Sequence, residues 1–404
     1  MIDLFEELKI RGYISQVTDE QKIKELLKDK ITFYAGFDPT ASSLHVGHLL
    51  QLIVISRLQR AGHRPVILIG GGTAMVGDPS GKTDMRKILT KDEIDKNSES
   101  FKIQMKKFVN FNSNESLLVN NADWLCNLNY ISFLREIGVH FTVNRMLTAE
   151  CFKSRMEKGL TFIEFNYMLM QAYDFLMLFR KHNCIMQIGG DDQWSNILAG
   201  IDLIRRVEKK ETYGMTFTLL TTSDGKKMGK TEKGAVWLDP VLTPPYDFYQ
   251  YWRNVDDKDV ERLLLLLTFL PIDRIKELGK LKDEKINEAK KILAFEVTKL
   301  VHGEKEAKRV HEVSEAIFEK NKPVESAPEI NLPPSERITE FLIAGGACSS
   351  KSQAKRLIEG GAVFVNDSKV LNPYSVLNDF SVNKDNVWII KCGRRHRWII
   401  KKSP

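Results

Sequence analysis

Cysteine is scarce in this 404-residue sequence: Cys126, Cys151, Cys184, Cys348 and Cys392 are odd in number and scattered, with no Cys-x-x-Cys pair. That distribution argues against a disulfide framework and against a structural zinc site. Long apolar runs are missing as well. The longest, Leu263 to Leu267 continued by Thr268-Phe269-Leu270, falls far short of the ~20 residues needed to cross a bilayer. The opening residues, Met1-Ile2-Asp3-Leu4-Phe5-Glu6-Glu7, are acidic where a targeting segment would be basic or apolar. A cytoplasmic protein with reduced thiols and no membrane partner is therefore expected. Proline is sparse but bunched: Pro323, Pro328, Pro333 and Pro334 fall within a polar stretch that can continue neither a helix nor a central strand. Residues 321–335 read as a linker.

What is present points to a soluble globular chain with 43% hydrophobic and 28% charged residues, long enough for two or three cores. The net charge is +7, and residues 336–404 hold twelve Lys and Arg against six Asp and Glu. That segment supplies six of the seven net charges, which is the pattern of a polyanion-binding tail. Ahead of the linker, residues 245–320 repeat apolar positions at helical spacing (Val260, Leu263, Leu264, Leu267; Ile286, Ala289, Leu293, Val297), so residues 241–320 are expected to be all-helical.

The first 240 residues alternate strands and helices. Strands are predicted at residues 31–36, 65–70 and 184–188, and a helix at residues 46–60, stopped by Gly62. Near-continuous apolar runs leading into Gly-rich turns imply a doubly wound, mainly parallel α/β sheet. Such a sheet binds ligands at the C-terminal ends of its strands.

Two strings carry nucleotide chemistry. In Ala35-Gly36-Phe37-Asp38-Pro39-Thr40 followed by Leu44-His45-Val46-Gly47-His48, a strand enters a Gly/Pro turn and a helix opens on two histidines. Spaced i and i+3, both rings can meet one ligand, and a helix N-terminus favours phosphate. In Asp224-Gly225-Lys226-Lys227-Met228-Gly229-Lys230-Thr231, a Gly-containing loop carries Lys227 and Lys230 three residues apart, suited to a leaving pyrophosphate. Gly81-Lys82-Thr83 looks like the end of a P-loop, but the first glycine of that motif would have to be Val76, so the spacing fails.

Together the two strings resemble the paired signatures of class I aminoacyl-tRNA synthetases. The form of the second, with Gly229 and Thr231, resembles that of the tyrosine enzymes. Gly70-Gly71-Gly72-Thr73-Ala74, with Gly77-Asp78-Pro79-Ser80-Gly81, resembles the tyrosine and tryptophan branch. Gly189-Gly190-Asp191-Asp192-Gln193-Trp194 resembles a further motif of that family, here with a second acid at Asp191. Residues 349–363, a serine-capped basic helix with Lys351, Lys355 and Arg356 that runs into Gly-Gly and a strand, resemble a small ribosomal-type RNA-binding domain.

The resemblance implies a Rossmann-like catalytic domain at 1–240 with a dimerising insertion at about 90–152. A helical domain at 241–320, a linker at 321–335 and an α+β RNA-binding domain at 336–404 would follow. It implies that L-tyrosine is activated by ATP to tyrosyl-adenylate and pyrophosphate, then moved to the 3'-terminal adenosine of a tRNA. Tyr34 and Asp174 would contact the phenol, and Asp78, Tyr167, Gln171 and Gln193 the rest of tyrosine. Gly36, Asp38, Thr40, His45, Gly47, His48, Gly190, Asp192 and Lys230 would bind ATP, and His45, His48, Lys82, Arg86, Lys227, Lys230 and Thr231 would serve catalysis. No protein metal site is implied, so Mg2+ would arrive with ATP; a homodimer is expected, and DNA is not. The rival expectations are a tryptophan-specific relative and an RNA-binding protein that has lost activity.

Overall fold

Six strands build the main sheet: β1 (Ile14–Val17), β2 (Thr32–Phe37), β3 (Arg64–Ile69), β4 (Leu117–Asn120), β5 (Cys184–Gly190) and β6 (Tyr213–Phe217). The computed structural model describes residues 3–80, 89–111, 116–156, 159–231, 234–318, 332–366, 368–382, 387–393 and 396–401. These divide into two compact units, Met1–Gly303 and Glu304–Pro404. In the first unit the strand order is β1-β6-β5-β2-β3-β4. The five strands β2 to β6 are parallel, and β1 closes one edge antiparallel to β6. From β2 the chain first winds outward through β3 and β4, then returns to build β5 and β6 on the other side. The order therefore reverses between β2 and β5, and their C-terminal ends flank the crevice where such sheets bind ligands.

The apolar runs become strands because helices cover both faces of a parallel sheet; in β3 every residue from Pro65 to Ile69 is buried. The helix Val46–Arg60 buries Leu49, Leu50, Leu52, Ile53, Val54 and Ile55, a wider apolar surface than a single stripe, as its place under the sheet requires. The helix Phe162–His182 starts on a capping box. Thr161 N donates to Glu164 Oε2 (3.1 Å), Glu164 N donates back to Thr161 Oγ1 (3.4 Å), and the helix stops at Asn183 in the left-handed region, φ 51°.

Beyond the sheet the expected helical stretch is present: Pro245–Arg253, Val260–Leu267, Ile272–Gly279 and Ile286–His302 belong to the first unit, and Glu304–Phe318 to the second. Most of the expected linker, up to residue 331, lies outside the described residues. A short hairpin of β7 (Lys230–Thr231) and β8 (Gly234–Ala235) also lies in the first unit. The second unit continues with helices Ile338–Ala344 and Lys351–Glu359 and with strands β9 (Val363–Val365), β10 (Ser368–Lys369), β11 (Val387–Cys392) and β12 (His396–Lys401), which form an antiparallel sheet of order β10-β9-β11-β12. Phe341, Leu342, Ile358, Trp388, Ile390 and Trp398 form its core. Among the described residues no helix is long and apolar enough to cross a membrane.

Candidate active site

The first signature is folded back on itself. His45 caps the helix Val46–Arg60; its Nδ1 accepts the Gly47 amide at 3.0 Å, while His48 Nδ1 accepts the His45 amide at 3.2 Å. With both Nδ1 atoms acting as acceptors, a neutral ring carries its proton on Nε2, so each histidine presents an N–H donor. The ring centroids are 4.0 Å apart, in keeping with the i, i+3 spacing. Gly47 serves this packing, for a Cβ there would lie 2.7 Å from His45 Cε1. Gly36 is exposed in a β2 otherwise buried or half-buried, and so opens the strand end. The turn that follows is closed by the Thr40 amide donating to Asp38 O at 2.8 Å.

The second signature packs directly on the first. Val46 N donates to Val236 O (3.0 Å), Val236 N to Gly229 O (2.8 Å) and Leu238 N to Leu44 O (2.8 Å), which stitches the two strings together by backbone alone. Gly229 has φ 85°, and a Cβ on it would collide with Val46, so both conformation and proximity require glycine. Lys227 Nζ stands 3.9 Å from Asp192. Burial raises the Asp192 carboxyl above its ordinary range, and Lys227 acts in the opposite direction. Lys230 and Thr231 are placed by backbone in β7, their side chains lying outside the description; Lys82 and Arg86 lie outside the described residues altogether.

Deeper in the crevice, Tyr34 and Asp174 are each 1% exposed. Asp174 accepts Trp124 Nε1 at 2.7 Å on one oxygen and Asn121 Nδ2 at 2.9 Å on the other. Burial nevertheless drives its pKa up to about 8 against those two donors. Tyr34 Oη has no hydrogen-bond partner among the described residues, and burial raises its pKa well above the ordinary tyrosine value, with Asp174 adding to the effect. A buried hydroxyl left without a partner costs about 1–3 kcal/mol. Its presence beside a buried carboxyl marks a place for a polar group of a ligand.

Further polar side chains pair around Asp38 and Asp78. Tyr167 Oη donates to Asp38 Oδ2 (2.8 Å), Thr73 Oγ1 to Asp38 Oδ1 (2.7 Å), and Gln193 Nε2 to Asp78 Oδ2 (2.7 Å). Gln171, on the same helix face as Tyr167 and Asp174, has a buried Oε1 with no partner among the described residues. Gly190 ends β5 and hands the chain to Asp191 and Asp192. These two acids differ. Asp191 accepts Gln16 Nε2 (2.7 Å) and Thr216 Oγ1 (3.0 Å). Burial would raise its pKa, but hydrogen bonds from Gln16, Ser15 and Thr216 outweigh that and hold it low. It ties β1 and β6 beneath the turn, and leaves Asp192 as the acid facing Lys227.

Several site residues escape a reading of the sequence. Asn121 spans Asp174, Thr73 and the Gly72 amide. Trp124 holds the other Asp174 oxygen, and Gln187, paired with Tyr34 across β2 and β5, has a buried Oε1 without a partner among the described residues. The signal for Asn121 and Trp124 was the polar string after the apolar run Leu117-Leu118-Val119, a strand end pointing at the crevice.

Residues 26–319 match the family model of class I tRNA synthetases (W and Y), and residues 319–400 match the tyrosine--tRNA ligase SYY-like C-terminal domain. The chain is 58% identical to a tyrosine--tRNA ligase of Caldanaerobacter subterraneus, covering 99% of this chain and 100% of that one. It is 60% identical to a tyrosine--tRNA ligase of Acetivibrio thermocellus, covering 98% of each. Among solved structures, a C-terminally truncated mitochondrial tyrosyl-tRNA synthetase of Aspergillus nidulans is similar with TM-score 0.69 and 32% identity, over 77% of this chain and 93% of that one.

Proposed function

The chain belongs to the tyrosine--tRNA ligases of the class I tRNA synthetases, and from that membership we propose how its residues divide the reaction. Its activity is that of the family: L-tyrosine is joined to ATP as an adenylate, pyrophosphate leaves, and tyrosine passes to the 3'-terminal adenosine of its tRNA. The observation that carries the pocket assignment is the buried, partnerless Tyr34 Oη beside Asp174. The phenol of tyrosine satisfies both, donating its proton to an Asp174 lone pair not used by Asn121 or Trp124 and accepting from Tyr34. Phenylalanine leaves Tyr34 Oη without a partner and the remaining Asp174 lone pair unused. At ~1–3 kcal/mol each, that disfavours it by roughly 30- to 10⁴-fold. Asp78, Tyr167, Gln171 and Gln193 take the ammonium and carboxylate end.

Activation needs no covalent enzyme intermediate. The tyrosine carboxylate attacks the α-phosphorus, and catalysis consists of holding the reactants and meeting the charge that develops. The Nε2–H donors of His45 and His48 face the triphosphate near the helix N-terminus, with Gly36, Asp38, Thr40 and Gly47 giving room for the nucleotide. Gly190 and Asp192 take the ribose, while Lys82, Arg86, Lys227, Lys230 and Thr231 neutralise pyrophosphate as it leaves. Mg2+ enters on the triphosphate. Among the described residues no group of three or more His, Cys, Asp or Glu could hold it alone.

Lys230→Ala tests the assignment of the loop. Pyrophosphate exchange should slow by roughly 10²- to 10³-fold with tyrosine affinity nearly unchanged. Parallel losses in binding and rate would instead point to a damaged fold.

We assign residues 1–240 to catalysis, 241–320 to the helical domain, 321–335 to a linker and 336–404 to tRNA binding, in a cytoplasmic homodimer. Exposed apolar side chains bunch between Tyr130 and Ile163, with Ile131 61%, Val139 70% and Phe162 69% exposed, more than a monomer usually leaves in one stretch. Part of that stretch lies within the expected insertion at about 90–152. Sedimentation should give twice the 46.3 kDa chain mass, and Ile131→Glu should shift it towards the single chain. A fully active monomer at micromolar concentration would remove the interface.

A further inference from the structure

The hairpin that carries Lys227 is gripped by residues from outside both nucleotide signatures. Its own turn is tight: Met228 N donates to Leu220 O (2.8 Å), Thr222 N to Lys226 O (2.8 Å) and Gly225 N to Thr222 O (2.9 Å). Yet the hairpin stands out in water, with the side chains of Lys226 81% and Lys227 51% exposed. A lone two-stranded hairpin is marginal at best, so something else must fix it.

Three side chains of the following helical stretch do so. Tyr251, on the helix Pro245–Arg253, accepts the Gly229 amide on its Oη at 2.9 Å. Asp259, 1% exposed, accepts the Ser223 amide at 3.1 Å on one oxygen and the Arg262 guanidinium at 3.1 Å on the other. Arg262 in turn donates to the Thr221 carbonyl. The hairpin is thus held at its base, at its turn and at Gly229, which lies between the two lysines in the chain.

The helix Val260–Leu267, which begins beside Asp259 and carries Arg262, is tied at its far end to the histidine helix. Arg57 donates to the Thr268 carbonyl and, through Nε at 3.0 Å, to Tyr13 Oη, which donates to Leu266 O at 2.8 Å. Val260–Leu267 is a strut between the two signatures, independent of their direct backbone pairs.

We infer that Tyr251, Asp259 and Arg262 are positioning residues for ATP activation: they set Lys227 and Lys230 against the leaving pyrophosphate. This rests on the reading of those lysines as phosphate ligands. The three residues touch no reacting atom. Their effect is on geometry, where a displacement of about 1 Å costs on the order of 10²-fold in rate.

Tyr251→Phe is the test, because it removes one hydroxyl and keeps the ring against Trp252. Exchange should slow by about 10- to 50-fold with the KM for tyrosine within about twofold of the parent. Transfer of tyrosine from preformed adenylate to tRNA should keep its rate, because pyrophosphate has already gone. Combined with Lys230→Ala, it should slow exchange by less than it slows the parent, because only its effect through Lys227 remains and residues acting through one another are not additive. Asp259→Ala should resemble Tyr251→Phe, and Asp259→Asn should recover part of the rate, since the amide oxygen still accepts from Ser223. Full-rate exchange by Tyr251→Phe, where Lys230→Ala is slow, overturns the inference. So do equal losses in activation and transfer, or losses that multiply in the double variant. Full-rate exchange by Lys230→Ala overturns instead the reading of the lysines themselves.

Discussion

Asp174→Asn is expected to make the protein more stable and much less able to tell tyrosine from phenylalanine. The two effects have one origin, a carboxyl buried for the sake of a substrate hydroxyl. With its pKa pushed up to about 8 from an ordinary 3.8, the folded protein holds this proton more tightly than the unfolded chain. The sign follows: the residue's contribution to stability declines as pH rises from about 4 to about 8, and levels off beyond. Asparagine carries no such charge, so the variant should exceed the parent by roughly 2–5 kcal/mol at pH 8, with the difference vanishing towards pH 4. Selectivity moves the other way. The asparagine NH2 competes with Asn121 and Trp124 as a donor, and the phenol loses a carboxyl oxygen as its acceptor, so the tyrosine preference in exchange should fall on the order of 10²-fold. Thermal unfolding at pH 5 and pH 8, beside exchange with both amino acids, checks both halves. A variant less stable at pH 8 would show that burial does not govern Asp174.

A chain ending at Lys322 should form adenylate and charge tRNA poorly. It loses the basic residues 336–404, which hold six of the seven net positive charges, and keeps every residue assigned to ATP and tyrosine. The two family models meet at residue 319, so the cut falls near a natural boundary. Exchange should survive within a few-fold, and aminoacylation should fall by ~10² or more. The dependence of tRNA affinity on salt should flatten by about 0.7–0.9 in log–log slope for each phosphate that the shortened chain no longer neutralises. Undiminished charging would mean that the tail does not grip tRNA, and collapse of exchange in a folded chain would mean that the domains divide elsewhere.

Much of this was legible in the sequence, for identifiable reasons. Strands β2, β3 and β5 are mostly buried on both faces and so read as nearly continuous apolar runs. The helix Val46–Arg60 has the predicted ends, and Tyr167, Gln171 and Asp174 keep their common face. Strands β1, β4 and β6 went unread because they are four or five residues long, and the half-buried residues of β1 and β4 give no apolar run. The supports of the site were hidden for another reason. Asn121 and Trp124 reach Asp174 across 53 and 50 residues, and Arg262 reaches Thr221 across 41. Sequence spacing has no bearing on such pairs, since only the folded chain brings them together. Asp191 shows the converse, a motif position whose charge is spent on β1 and β6 rather than on a ligand.

The central claim is that Tyr34 and Asp174 choose the amino acid by pairing with its hydroxyl. ATP–pyrophosphate exchange with tyrosine, phenylalanine and tryptophan, in the parent and in Tyr34→Phe, tests it most directly. The parent should exchange with tyrosine and be poorer with the other two by on the order of 10³-fold, and Tyr34→Phe should shrink the tyrosine-to-phenylalanine ratio by about tenfold. Strong exchange with tryptophan, or a ratio that Tyr34→Phe leaves untouched, would contradict it.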